Sequence, residues 1–422
     1  DVVASIRRWG ARTGIGRRLM RFTTGIEIVD DRSFKLVLNA PYRQLPAALA
    51  SPSAVMMRAR EALTDPNVQV KDAIGSGPFR FVSDQWVPGS KVVYAKNTDY
   101  VPRAEPARAL AGGKVAGVDR IELLWIPDAQ TAAQALIKGE IDFLESPSID
   151  FLPVLRAAPG VAVRTSESPY AYGSALVRLN HLQPPFDKVA IRQAMYKLIN
   201  QEDMLRAAIG DPAYYRVCYG LISCGTPAAN DGGRAMLTGY DPKGAAAAFR
   251  AAGYRDEPIT ILHAIDLDFA NPMTQVLIQE MREAGLKLDI QAMDWGTVTQ
   301  RRARKDPPAQ GGWNIFLTGT TALSTAELTT NAWFDASCDG AQPGWPCDEQ
   351  LERLRDAWDL AETDSERLKI ATDWQTRAVE TVVYIPTGQW RAPIAIRSDR
   401  IADLVPGTRS SGATALWGIT KR

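Results

Sequence analysis

Four cysteines and two histidines are the side chains of this chain best suited to covalent or metal chemistry. Cys218 and Cys224 bracket Tyr-Gly-Leu-Ile-Ser, and Cys338 and Cys347 bracket Asp-Gly-Ala-Gln-Pro-Gly-Trp-Pro. Four cysteines allow three pairings, and the local one closes two short loops rich in Gly and Pro. Each such bridge is worth about 2–3 kcal/mol. Zinc is the competing chemistry, with free thiols the remaining alternative. Neither spacing is CxxC, however, and only His181 and His263 could complete a tetrahedral set. Two local disulfides, Cys218–Cys224 and Cys338–Cys347, are expected, and they place the chain in an oxidising compartment.

Catalytic constellations are not visible. There is no GxSxG and no HExxH. Gly113-Lys114 is not a phosphate loop, because Arg108 stands where its first glycine belongs and Val115 replaces Ser or Thr. His181 and His263 lie far apart and read as structural. Asp30-Asp31 sits in a turn, where aspartate is common for backbone reasons. The expectation is a protein that is not an enzyme and uses no cofactor or metal.

The 422 residues are enough for two or three domains. Apolar residues make up 45% and charged residues 23%, an ordinary globular composition. No run approaches 18 apolar residues, so no membrane span is expected. A net charge of +1 argues against a nucleic-acid partner, which would call for a basic excess. Six arginines (Arg7, Arg8, Arg12, Arg17, Arg18 and Arg21) crowd the first 21 positions. They read as a solvated helix face.

The elements that must position any site follow from periodicity. Residues 25–38 and 79–94 read as hairpins around Asp30-Asp31 and Pro88-Gly89-Ser90. Residues 121–126 are a strand. Asp128 caps a helix that Gly139 ends, and residues 141–144 return as a strand, which implies a parallel crossover. Asp187 and Asp241 are expected caps, and Asn271-Pro272 reads as a cap followed by a helix-initiating proline. Strands are expected at 259–262, 286–290 and 313–318, and long helices near Asp348 and Asp364. This is an α/β chain with at least two mixed sheets, and it is not a barrel.

Several segments in this order resemble the peptide/opine/nickel-type solute-binding proteins of ABC importers. They are Asp1-Val2-Val3-Ala4-Ser5, Gly75-Ser76-Gly77-Pro78-Phe79, Asn97-Thr98-Asp99-Tyr100 and Ile126-Pro127-Asp128-Ala129 through Gly139-Glu140-Ile141-Asp142. Pro184-Pro185-Phe186-Asp187, Ile191-Arg192-Gln193-Ala194, Tyr240-Asp241-Pro242-Lys243, Ala252-Gly253-Tyr254 and Pro386-Thr387-Gly388-Gln389-Trp390 continue the series. Each is weak alone; their order and spacing are specific. The resemblance implies a periplasmic-binding-protein-like (type II) fold, a two-lobed Venus flytrap with an inserted extra domain. Residues 1–74 are then the inserted domain, 75–175 plus 392–422 lobe I, and 176–391 lobe II. Members begin upstream of the segment matching Asp1–Ser5, with a signal sequence, the opening strand of lobe I and part of the inserted domain. A truncated start and an unpaired edge in lobe I are therefore expected.

The resemblance also implies the function: extracytoplasmic capture of a peptide-like or other small polar solute by hinge closure. The partners are then ABC permease subunits with separate ATPase subunits. A monomer is expected, periplasmic or lipid-anchored. By the same resemblance Tyr170 and Tyr172 lie at the first lobe crossover, and Gln389, Trp390 and Arg391 at the return. Thr318, Thr320 and Thr321 fall on the cleft-facing loop, and Trp313 and Trp333 are further aromatic candidates. Peptide-binding relatives place an acidic residue shortly after the position of Thr320. Here the first acidic residue is Glu327, and it comes late, which speaks against a free ammonium ligand. A neutral hydroxylated ligand, or a carboxylate held by Arg391, stays open. A sensory receptor on the same fold and a truncated remnant are the rival readings.

Overall fold

In the computed structural model, residues 1–51, 53–71, 74–107, 111–403 and 416–421 are described. Two amphipathic helices open the chain, α1 (Val2–Arg12) and α2 (Gly14–Phe22). Thr13 caps α2 by accepting a hydrogen bond from the Gly16 amide at 3.0 Å. The arginines of these helices do not all face solvent, as the charge run suggested. Arg8 donates to the carbonyls of Thr64 (2.8 Å) and Val68 (2.6 Å). Arg18 is 3% exposed and pairs with Asp359. A guanidinium carries five donors in a planar fork, so carbonyls and carboxylates can satisfy it inside a fold.

Both hairpins form. β1 (Thr23–Ile28) pairs antiparallel with β2 (Phe34–Leu38), and the Asp30 carboxylate accepts from the Arg32 amide in the turn. β3 (Phe79–Phe81), β4 (Lys91–Lys96) and β5 (Arg120–Leu124) make an antiparallel three-stranded sheet. Asp128 caps α3 (Ala129–Lys138) through the Thr131 amide at 2.7 Å, and Gly139 ends it at φ 76°. The returning strand β6 (Phe143–Glu145) does not share a sheet with β5, which corrects the parallel crossover. β6 and β7 (Val161–Arg164) flank β14 (Ile394–Arg397), a strand from the far end of the chain that runs antiparallel to both. A local strand–helix–strand pattern fixes the helix and its caps. It does not say which distant strand supplies the pairing.

The remaining elements build one large sheet with helices packed on it. Its strands are β8 (Tyr172–Leu179), β9 (Tyr215–Arg216), β10 (Ile259–Ala264), β11 (Leu288–Met293), β12 (Ile315–Thr321) and β13 (Ile385–Arg391). They lie in the order β11-β10-β12-β8-β13-β9. β10 is parallel to β11 and to β12, whereas β12 and β8, and β13 and β9, are antiparallel. The central strands read as continuous apolar runs because helices cover both faces. Ile259, Ile261, Ile315, Leu317, Val177 and Leu179 are all buried. Helices α4 (Val189–Ala194), α5 (Pro242–Ala251), α6 (Ala270–Glu283), α7 (Glu349–Leu360) and α8 (Asp364–Thr381) complete this layer.

Asp241 caps α5 as expected, and α7 begins where expected, with Asp348 as its cap. Asp187 does not cap α4, which starts two residues later without a side-chain cap. Asn271 lies inside the first turn of α6, where its amide oxygen meets the His263 ring at 2.8 Å. α8 begins at Asp364 as expected, with Thr363 as its cap.

The described chain forms two compact units, Asp1–Arg12 with Pro52–Ala171 and Arg391–Arg422, and Thr13–Ser51 with Tyr172–Trp390. Residues 1–74 are thus divided between the two units. The reason is visible in α2: Arg18 binds Asp359 of α7, and the Arg43 amide donates to the Asp359 carbonyl. Those bonds draw residues 13–51 into the second unit. Part of the expected lobe I, residues 404–415, lies outside the described residues. Cys218–Cys224 and Cys338–Cys347 are both disulfide-bonded. Among the described residues no helix is long and apolar enough to cross a membrane.

Candidate functional site

The carboxyl ends of β10, β11, β12 and β13 and the start of β8 meet at one end of the large sheet. In an open α/β sheet that is where ligands bind. Thr320 pairs with Ser174 and Thr321 with Gly173, so β12 finishes beside the opening of β8. The Ser174 hydroxyl donates to the Gly388 carbonyl at 3.3 Å, which fixes the end of β13 on the other side of β8. The alternation of strand side chains then separates two faces.

One face is aromatic. The Trp390 ring lies over Gly173 and the Phe269 ring over Gly319. A methyl group built on either glycine would approach the ring to 2.8 Å. The two rings stack on each other at 5.0 Å with a 30° interplanar angle. Two adjacent strands therefore each present backbone alone where a side chain would fill the space, and an aromatic plate occupies it.

The other face is polar. The Arg216 guanidinium sits 3.8 Å from the centre of the Tyr172 ring, a cation–π contact. It also donates to the Gln389 side-chain oxygen at 2.9 Å and to the Cys224 carbonyl at 2.5 Å. Gln389 donates to the Ser223 hydroxyl at 2.9 Å, and Ser223 shares a 2.5 Å hydrogen bond with Thr325. Thr325 in turn donates to the Thr321 carbonyl at 3.1 Å. Ser174, Thr320, Ser223, Thr325 and Gln389 line a small cavity of ≈ 10 Å³ beneath this face, about the size of one water. The Cys218–Cys224 bridge closes the loop that holds Ser223 and supplies the Cys224 carbonyl, so the disulfide positions this network.

Of the expected residues, Tyr172, Thr320, Thr321, Gln389 and Trp390 come together here. Gln389 is buried and acts through Ser223 and Arg216; it is a positioning residue. Thr318 is buried within the sheet two residues farther in. Trp313 is withdrawn as a candidate. It is fully buried, packs on Phe316 and Trp345, and donates its indole N–H to the Arg302 carbonyl at 3.0 Å. Trp333 lies against Phe316, Arg178 and Arg302, four residues down β12 from Thr320. Tyr170 and Arg391 belong to the first unit, next to the bonds at which the chain passes between units. There Arg391 is ion-paired with Glu167 at 2.6 Å.

Sequence reading missed Arg216, Phe269, Ser223 and Thr325. Phe269 carried one signal, its place between a strand's carboxyl end and the helix that follows. Arg216 had none, because its importance comes from β9 lying beside β13.

Glu327 does not serve this site. It is partly buried toward Asp359 and Arg367, and its Oε2 has no hydrogen-bond partner among the described residues. Burial, reinforced by Asp359 and opposed by Arg367, raises its carboxyl above the ordinary value. The folded state then holds this proton more tightly than the unfolded chain, so its contribution to stability falls as pH rises through the carboxylate range. Glu327→Gln is expected to raise stability at neutral pH by about 1 kcal/mol and to give no gain at acid pH. Urea midpoints at about pH 4 and pH 7 check this; a loss at neutral pH would show that the ionised form is satisfied.

Comparison with known proteins places the chain in a family. The family model described as bacterial extracellular solute-binding proteins, family 5 Middle, matches residues 1–340. A probable peptide ABC transporter periplasmic-binding protein of Sinorhizobium fredii is 37% identical over all of this chain and 78% of its own length. A glutathione-binding protein of Pectobacterium atrosepticum is 27% identical over 73% of this chain and 56% of its own length. Among solved structures, a Helicobacter pylori periplasmic binding protein in complex with the peptide STSA matches with TM-score 0.79 at 20% identity, over 100% of this chain and 81% of its own. An A. tumefaciens R10 binding protein in complex with agropinic acid matches with TM-score 0.77, also at 20% identity, over 100% and 82%. The type II periplasmic-binding-protein fold is thereby established. The chain belongs to the bacterial extracellular solute-binding proteins of family 5, a family of solute receptors for ABC importers.

Proposed function

We propose that this chain captures a small peptide-like solute at the carboxyl end of its large sheet and delivers it to an ABC permease. The observation that carries the reading is the joint arrangement of the two faces. Trp390 and Phe269 offer a rigid apolar plate on one face of this end of the sheet, and Tyr172, Thr320 and the Arg216–Gln389–Ser223 network offer fixed polar groups on the other. A peptide presents this mixture of apolar side chains and hydrogen-bonding backbone, and binding sites combine a mostly apolar lining with a few placed polar groups. The S. fredii relative supports the peptide class. Permease subunits with separate ATPases are the proposed partners, and the periplasm, free or lipid-anchored, the proposed location. Tyr172 and Trp390 are the second unit's residues at two of the chain's four crossings between units, Ala171–Tyr172 and Trp390–Arg391. A ligand held by Tyr172 and Trp390 is placed to shift the protein toward its binding-competent conformation.

A thermal-shift screen tests the reading with dipeptides, oligopeptides, opines, oligosaccharides and nickel salts. Ligand at about 100 times its Kd adds about 2.7 kcal/mol, a rise of several degrees. Peptides are expected to give that rise and sugars none. A rise given by sugars or nickel alone would overturn the peptide class. A peptide shift undiminished in Trp390→Ala would remove the site from this end of the sheet.

A further inference from the structure

The second unit has a groove of ≈ 480 Å³ lined by His181, Val189, Arg192, Arg377, Asp348 and Thr381, among others. It lies at the other end of β8 from Tyr172, because His181 follows Leu179 and its ring meets the Val382 carbonyl at 3.1 Å, ahead of β13. An eight-residue strand separates the two ends, about 25 Å at the usual rise per residue. The groove is therefore distinct from the candidate solute site.

Its floor carries two buried guanidiniums that no carboxylate contacts among the described residues; Asp187 acts on Arg192, and Asp335 on Arg178, only from a distance. Among the described residues buried Arg192 donates only to main-chain carbonyls, those of Thr381 (3.1 Å), Phe186 (2.7 Å) and Asp187 (3.1 Å). Behind it Arg178 is wholly buried and likewise donates to the carbonyls of Pro343, Gln342, Val383 and Trp333. Burial lowers Arg178 to about 9 and Arg192 to about 10, so both stay charged at neutral pH. The carboxylates lining the groove face Arg377, which also lines it, rather than Arg192. Asp348 caps α7 and accepts from Arg377 at 2.7 Å, and Glu380 faces Arg377 at 3.7 Å. Asp187 beside α4 is exposed. Buried charges normally have a counter-charge, and the cost of lacking one is recovered by an anion that can reach them.

We propose that this groove is a second ligand site, which takes a small oxyanion between His181 and Arg192. The anion completes the charge balance that the fold leaves open. Burial and the two arginines hold the His181 imidazole well below its usual range. A bound anion favours its protonated form, so affinity rises as pH falls. Arg178 on β8, Arg192 on α4, Arg377 and Glu380 on α8, Asp348 ahead of α7, and the more distant Asp187 and Asp335 are the charges that set this balance.

The chain has two histidines, so proton NMR of their rings reads the site directly. His263, bonded to Asn271 at the other end of the sheet, is the internal control. Inorganic phosphate and acetate are compared with chloride at matched ionic strength. Phosphate or acetate is expected to raise the His181 titration midpoint by about one pH unit or more, about a tenfold preference for the protonated ring, and to leave His263 unmoved. Whichever anion acts names the ligand as phosphate-like or carboxylate-like. Val189→Glu puts a carboxylate at the exposed rim without touching the buried guanidinium and is expected to weaken binding at least tenfold; Arg192→Gln is expected to abolish it. His181 unmoved by both anions, or moved equally in Val189→Glu, overturns the proposal. Because no solute of the Trp390 site is present in this test, its failure leaves that site's function untouched.

Discussion

Arg18→Leu is expected to destabilise the protein by about 3–5 kcal/mol, the cost of breaking a buried ion pair by removing one partner. Arg18 is 3% exposed and Asp359 fully buried. Asp359 accepts from Arg18 Nε and from the Thr329 hydroxyl at 2.7 Å. Arg18 also reaches Asp356 at 2.8 Å and Glu352 at 3.7 Å. Without Arg18, the Asp359 carboxylate keeps one neutral hydrogen bond and the more distant field of Arg355. Burial already raises the Asp359 carboxyl above its ordinary value, with Arg18 the leading opposing influence. The variant raises it further. A carboxyl whose folded value is raised supports folding at low pH and loses that support as pH rises. The penalty of Arg18→Leu is therefore expected to be largest at neutral pH and to shrink toward acid pH, where a protonated Asp359 needs no counter-charge. Arg18→Leu/Asp359→Leu is expected to recover most of the loss, because no buried charge is then left alone. Urea midpoints of the three proteins at two pH values decide the matter. A loss under about 1 kcal/mol would class the pair with surface ion pairs.

This pair also shows where sequence reading stops. The six N-terminal arginines look alike in the sequence, and Arg18 differs only because α7, more than 300 residues later, places Asp359 beside it. The elements themselves were legible wherever their causes are local. Asp128, Asp241 and Asp348 cap helices through amides three residues on, and both hairpins follow from their turns. Expectation failed where a nearby group competed: His263 took the side chain of Asn271, the expected cap. Pairing of β6 with β14 spans some 250 residues and leaves no mark on either segment.

The candidate site divides in the same way. Tyr172, Thr320, Gln389 and Trp390 were legible because they end or begin strands. Trp313 was misread because residue type does not reveal burial: the same indole that could face a ligand here fills the core beside Phe316. Arg216 and Phe269 were not legible, since each matters through a neighbour supplied by sheet order.

Gly173→Val is expected to lower solute affinity about 10- to 100-fold, with little effect on folding. Its added Cβ would lie 2.8 Å from Cε2 of Trp390 and 3.0 Å from Nε1, inside any tolerable contact. Gly173 sits in an extended strand, where valine is conformationally welcome. The backbone therefore accepts the change, and the ring has to move. Moving it breaks the stack with Phe269, and a buried aromatic anchor of this kind is worth about 1–3 kcal/mol of binding. The affinity of the peptide identified by thermal shift, measured by calorimetry, gives the test. Gly173→Val and Trp390→Ala are expected to act through the same ring. Their combination should then be no worse than Trp390→Ala alone, a strongly non-additive pair. Additive losses would mean that Gly173 acts on the ligand directly. Unchanged affinity in Gly173→Val beside a large loss in Trp390→Ala would mean that the ring binds in another orientation. Wild-type affinity in both would remove the aromatic plate from the site.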